Sequence, residues 1–164
     1  MLTRKDVKLI LLALSPILGA LLIWGALVAI LRTPYPLLIV KGGSMEPTLH
    51  DGDLVLIQGV SVEEVQVGDI VAFFKPGGHS EIIIHRVIDK VEVDGQVLLE
   101  TKGDNNSFPD KDLVGPEDLL GRMIYRLPGV GNAIRFLKSP VGIAIIAVVY
   151  GVFLALLFRS PEEE

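Results

Sequence analysis

Three segments of this chain hold side chains whose types and spacing could do covalent chemistry. The first is Lys41-Gly42-Gly43-Ser44-Met45-Glu46-Pro47-Thr48-Leu49-His50. Two glycines before Ser44 permit tight backbone geometry and the close approach of another chain. Pro47 fixes the direction in which the chain leaves. A nucleophilic serine needs such exposure at a sharp turn; an ordinary Gly-Ser turn after a strand has the same look. The second segment is Ile82-Ile83-Ile84-His85-Arg86-Val87-Ile88. Alternation along a strand puts Ile83, His85 and Val87 on one face, and Ile84, Arg86 and Ile88 on the other. A histidine there is either a hydrogen-bonded core residue or a neutral imidazole suited to a general base. His50 and His79 fall instead in turn sequences, His79 at a solvated loop tip. The third segment, TKGDNNSFPDKD over 101–112, contains the turn Gly103-Asp104-Asn105-Asn106. Its carboxylates serve either as loop caps or, in one case, to orient His85. Pro109 in the sixth position and Gly115 in the twelfth, where glycine and an acid are needed, argue against a calcium loop. With no cysteine there is no thiol nucleophile, no disulfide and no Cys-bound zinc. No metal site is evident, and a serine–imidazole reaction needs no cofactor.

These residues must be positioned by something, and the sequence around them reads as strand. Short apolar runs occur at 37–40, 54–57, 69–74, 81–93, 97–101 and 122–126. Turn signals separate them: Asp51-Gly52-Asp53, Pro76-Gly77-Gly78, Asp94-Gly95 and Pro128-Gly129. This predicts a mainly β fold, a small antiparallel β domain. One amphipathic helix is expected over 131–138, with Ile134, Phe136 and Leu137 toward lipid and Arg135 and Lys138 toward headgroups.

The excess hydrophobicity lies outside that domain. The chain has 164 residues, half of them of the AVILMFWYC class, and a net charge of −5. Its mean hydropathy is +0.53. So apolar a composition excludes a disordered chain. The acidic balance, with no long basic run, argues against nucleic-acid binding. Residues 9–31 and 141–158 carry no charge. As helices they measure roughly 35 and 27 Å, against about 30 Å for a bilayer's hydrocarbon core. The first is longer than the apolar core of a cleavable signal peptide and reads as a retained anchor. Arg4, Lys5 and Lys8 before it, against Arg32 alone just after it, put residues 1–8 in the cytoplasm. Residues 33–140 then form an extracytoplasmic domain, and 159–164 a cytoplasmic tail, with Arg159 among the basic flanks of the second span.

Taken in order, Gly43-Ser44-Met45-Glu46-Pro47-Thr48, Val67-Gly68-Asp69-Ile70-Val71, Ile84-His85-Arg86-Val87 and Gly103-Asp104-Asn105-Asn106 with Asp110 resemble the boxes of type I signal peptidases. The resemblance covers roughly 35–127. Where the bacterial branch has lysine this chain has His85, as in the archaeal and endoplasmic-reticulum branch; a minority of bacterial members share the histidine. The resemblance implies a membrane-bound serine endopeptidase that removes signal peptides from exported preproteins after small-x-small sites. Ser44 would be the nucleophile and His85 the general base. Asp110 matches the acid that orients the histidine; Asp104 is the rival, or the partner of Arg86. Ser44 and Gly43 would supply backbone to the oxyanion site, and Arg86, Gly103 and Asn105 structural support. Many members carry a serine two positions before the nucleophile as a second oxyanion donor; this chain has Gly42. The twelve residues from Arg32 to Ser44 reach at most about 40 Å, which keeps Ser44 near the outer face of the membrane. Implied partners are preproteins, membrane lipid, and the export translocon or accessory subunits. The implied site is the cell membrane, or the endoplasmic-reticulum membrane in a eukaryote. Three alternatives stand beside this: an inactive membrane-anchored binding module, a structural subunit of an export complex, and a Ser–His dyad without an essential acid.

Overall fold

The computed structural model describes residues 3–78 and 81–158. His79, Arg159 and the expected tail 159–164 lie outside the described residues. In chain order the elements are α1 (Arg4–Leu31), β1 (Leu37–Ile39), β2 (Leu54–Gln58), β3 (Ile70–Phe74), β4 (Ile82–Val93), β5 (Gln96–Lys102), β6 (Leu119–Leu127), α2 (Val130–Leu137) and α3 (Pro140–Phe158). They group into two compact units. One is Leu27–Asn132; the other joins the chain up to Ala26 with the chain from Ala133 onward.

Leu27–Asn132 is built on one six-stranded sheet in the order β1-β2-β6-β3-β4-β5. Every neighbouring pair is antiparallel. The β4–β5 hairpin closes through Asp94 and Gly95, whose φ values of 53° and 79° are those of a two-residue turn matching strand twist. Both faces of the sheet are covered. In β3, Ile70 and Ala72 join a cluster with Val40, Met45, Leu49, Val55 and Ile57. The alternate residues Val71 and Phe73 join Val62, Val65, Val87, Leu99 and Val114. Successive side chains point to opposite faces, so the two clusters lie on opposite sides. Ile83 packs with the second cluster and Ile84 with the first, the alternation expected for β4.

The expected strands are present, with one instructive difference in extent. β6 begins at Leu119, three residues before the apolar run that suggested it. Gly121 hid the start, because a glycine reads as punctuation. Here it lies inside the strand, at φ 145°, where a Cβ would come within 2.2 Å of the Gln58 carbonyl oxygen. It marks a close backbone approach beside a bulge rather than an end.

The helix α1 from Val7 to Leu31 and the helix α3 are each long and apolar enough to cross a bilayer. Pro16 sits within α1 and cannot bond the Leu12 carbonyl. Ser15 Oγ donates to that carbonyl at 2.8 Å. One residue on, Tyr150 Oη of α3 donates to the Ala13 carbonyl at 2.7 Å. The carbonyl that proline leaves without its helix donor is re-satisfied by Ser15.

Candidate active site

Ser44 lies in the segment that leaves β1. Val40 still pairs with the chain ahead of β2, its N–H on the Asp53 carbonyl and its own carbonyl on the Gly52 N–H. The Gly42 N–H donates to Asp51 Oδ1 at 3.0 Å. The chain then turns sharply, with the Glu46 N–H on the Gly43 carbonyl and the Leu49 N–H on the Met45 carbonyl. Met45 and Leu49 are almost fully buried and pin this turn to the core. Ser44, immediately before Met45, is half-buried.

His85 reaches Ser44 because β4 is longer than either neighbour. It pairs with β3 over residues 82–86 and with β5 only from Arg86 onward. Beyond Lys102 the chain leaves the sheet, so one edge of β4 opens where His85 stands. The imidazole is buried, with the Phe73 ring 6.4 Å away in an edge-on arrangement. Its Nε2 is 3.1 Å from Ser44 Oγ. Its Nδ1 is 2.6 Å from Asp110 Oδ2. A proton on Nδ1, donated to Asp110, leaves the Nε2 lone pair to accept the Ser44 proton.

Asp110 is held in turn. Its Oδ2 accepts from Thr101 Oγ1 at 2.7 Å, and its N–H donates to the Thr101 carbonyl at 2.8 Å. Thr101 is fully buried. It was missed in the sequence, where its one signal was the inward phase that it shares with Leu99.

Asp104 takes a different partner. Arg86 Nε and Nη2 donate to its two oxygens at 2.8 and 2.7 Å, while Nη1 donates to the Gly68 carbonyl at 2.8 Å. The Arg86 hydrogen bond holds the Asp104 carboxyl below the usual range, against burial and with help from the Thr48 hydroxyl. The same pair raises the Arg86 guanidinium above its usual value. Of the two rival acids, then, Asp110 is on the imidazole and Asp104 is on the neighbouring arginine.

Gly103 and Asn105 join this loop to the segment that carries Ser44. A Cβ at Gly103 would stand 2.6 Å from the Ser44 carbonyl oxygen, so only glycine permits the approach. The Asn105 N–H donates to the Ser44 carbonyl at 2.8 Å. Its Nδ2 donates to the Gly43 carbonyl at 3.1 Å.

A second brace went unread in the sequence. Arg126 of β6 donates to the Thr48 carbonyl at 2.6 Å, and its Nη2 lies 3.0 Å from His50 Nδ1. Its Nε is 2.7 Å from the buried Asp53 carboxylate. Burial pushes the Asp53 pKa up. The N–H groups of His50 and Gly129, with Arg126, outweigh that and hold it below the usual carboxylate range. An arginine at the end of a strand, 73 residues from its aspartate, gives no local signal.

Among the described residues no group of three His, Cys, Asp or Glu side chains is arranged to hold a metal ion. The three aligned side chains can move a proton from a hydroxyl to an imidazole and steady the cation that forms.

The chain is similar in sequence to proteins of known kind. A family described as signal peptidase, peptidase S26 matches residues 10–110. The signal peptidase complex catalytic subunit SEC11C of Homo sapiens is 37% identical over 121 residues, which is 69% of this chain and 62% of that protein. The signal peptidase complex catalytic subunit SEC11 of Metarhizium robertsii is 36% identical over 120 residues, 68% of this chain and 69% of that protein. The counterpart from Colletotrichum graminicola is 32% identical over 120 residues.

Proposed function

This chain belongs to the peptidase S26 family of signal peptidases, and we propose that it is a membrane-bound serine endopeptidase that removes N-terminal signal peptides from exported preproteins. The single observation that carries the mechanism is the line Ser44 Oγ to His85 Nε2 at 3.1 Å and His85 Nδ1 to Asp110 at 2.6 Å. Ser44 Oγ attacks the carbonyl carbon at the cleavage site while its proton passes to Nε2. The carbonyl π electrons move to the oxygen. Collapse of this tetrahedral species expels the amine of the mature chain, which takes the proton back from Nε2. Water, deprotonated by the same nitrogen, then hydrolyses the acyl-enzyme. Asp110 stays ionised, fixes the tautomer and stabilises the imidazolium.

The substrate docks as an added strand. Val87 exchanges its backbone bonds with Asp69 and Gly68 on the β3 side. By alternation the backbone groups of Ile82 and Ile84 then face the open edge of β4, beside His85. An extended peptide there gains affinity through its main chain, with specificity left to pockets for small side chains. The two apolar helices span the membrane, the N-terminus stays in the cytoplasm, and the β domain works on the extracytoplasmic side. The relatives are described as catalytic subunits of a signal peptidase complex, which supports accessory subunits and a secretory membrane here too.

Gly42 favours the second reading, a catalytically weak binding module, because it removes a side-chain oxyanion donor. The test is cleavage of a preprotein by the full chain in detergent or lipid, with Ser44→Ala alongside and the new N-terminus sequenced. Cleavage after a small-x-small site, lost in the variant, is the expected result. Cleavage by Ser44→Ala at the wild-type rate would overturn the mechanism. Absence of cleavage by a folded wild type, with lipid and accessory subunits supplied, would leave the binding module.

A further inference from the structure

We propose that Asn105 is a positioning residue that builds a two-donor, all-backbone oxyanion site from the N–H groups of Ser44 and Met45. This rests on the serine-peptidase reading above and supplies the donor that Gly42 lacks. Two consecutive carbonyls converge on Asn105: that of Ser44 on its N–H at 2.8 Å, and that of Gly43 on its Nδ2 at 3.1 Å. The cis peptide in this stretch is Glu46-Pro47, so the Gly43-Ser44 and Ser44-Met45 peptides are trans. In a trans peptide the N–H points opposite to its own C=O. With both carbonyls tied to one residue, the Ser44 and Met45 N–H groups are both turned away from it. Neither meets a protein acceptor among the described residues. The turn is rigid behind them, since the Gly43 carbonyl also takes the Glu46 N–H and the Met45 side chain is 2% exposed.

Two fixed donors beside the attacking oxygen are what a developing oxyanion needs, and they need no reorganisation as charge forms. Asn105 itself touches neither substrate nor the reacting atoms. It is exposed, so its replacement leaves the core intact.

The experiment compares the full-length wild type with Asn105→Ala and Asn105→Asp. The second keeps the size and the backbone N–H but cannot donate to the Gly43 carbonyl. Four quantities are measured: kcat and KM on a preprotein over a range of pH, affinity for a peptide boronate with a small terminal side chain, and the melting temperature. The boronate forms a tetrahedral adduct with Ser44 Oγ. The expected result in both variants is a kcat about 10- to 100-fold lower, a comparable loss of boronate affinity and an unchanged KM, with the pH profile unchanged in the uncharged Asn105→Ala. A kcat within two-fold of wild type would overturn the proposal. So would a lowered kcat with full boronate affinity, or an activity loss that simply follows a falling melting temperature. Should Asn105→Ala fold poorly, Asn105→Asp decides alone. Retained activity in Ser44→Ala would sink the underlying mechanism, whereas full activity in the Asn105 variants beside an inactive Ser44→Ala sinks only this inference.

Discussion

Replacing Asp110 by asparagine, with Asp104→Asn alongside, tests the proposed division between an acid that serves the base and an acid that holds its neighbour. Asparagine matches aspartate in shape, so the Asp110→Asn change removes charge and little else. In the transition state the imidazolium faces that charge across a 2.6 Å hydrogen bond. Unit charges roughly 4 Å apart, at an effective dielectric of about 20, interact by about 4 kcal/mol. The His85 and Asp110 side chains are 10% and 22% exposed, which leaves some screening. The expected fall in kcat is therefore about 10²–10³-fold, at 1.36 kcal/mol per decade. KM stays near the wild-type value, because Asp110 touches no substrate. Asp104→Asn acts elsewhere: it weakens the paired bonds to Arg86, a side chain 33% exposed. That costs about 1–2 kcal/mol of stability and less than about ten-fold in kcat. Steady-state cleavage and a thermal melt of each variant measure both quantities. A kcat for Asp110→Asn within about three-fold of wild type would refute the reasoning and leave a Ser–His dyad. So would a loss in Asp104→Asn as deep as that in Asp110→Asn at an unchanged melting temperature.

Three further outcomes are expected. Gly103→Ala drives a methyl group against the Ser44 carbonyl, 2.6 Å away; the nucleophile must shift, and kcat falls by about 10²-fold while the fold survives, as circular dichroism would show. Arg126→Ala leaves the buried Asp53 with only its two backbone donors and frees the Thr48 carbonyl; denaturant unfolding should record a loss of about 2–3 kcal/mol, with Arg126→Lys recovering only part. Asp53 and Asp104 both have lowered native pKa values, so the stability they contribute is complete above the unfolded carboxylate value of about 4 and is lost as pH falls through their native values. Melting temperatures taken downward from pH 5 should drop, less steeply in Asp104→Asn; equal slopes would count against the Arg86 pairing as the cause.

The local codes of this chain survive in its fold because they depend on neighbours in sequence. Asp94-Gly95 makes a hairpin since both residues tolerate positive φ. The β4 alternation follows from the two-residue period of a strand, so Ile83 and Ile84 part to opposite clusters as expected. The apolar runs at each end become helices of spanning length by composition alone. The order of the boxes was enough to indicate the family. What the sequence by itself left open were pairings between distant segments. Asp104 and Asp110 lie six residues apart in one loop of similar chemistry. Their roles diverge only because β5 ends at Lys102, which sends one carboxylate to each of two adjacent β4 side chains on opposite faces. Thr101 and Arg126 carried no motif. Each acquires its partner through strand register, and Arg126 does so from the far end of the domain's chain. Hydrogen-bond geometry of this kind is a property of the assembled sheet, set by which strands are neighbours and where each one stops. No window of sequence contains that information.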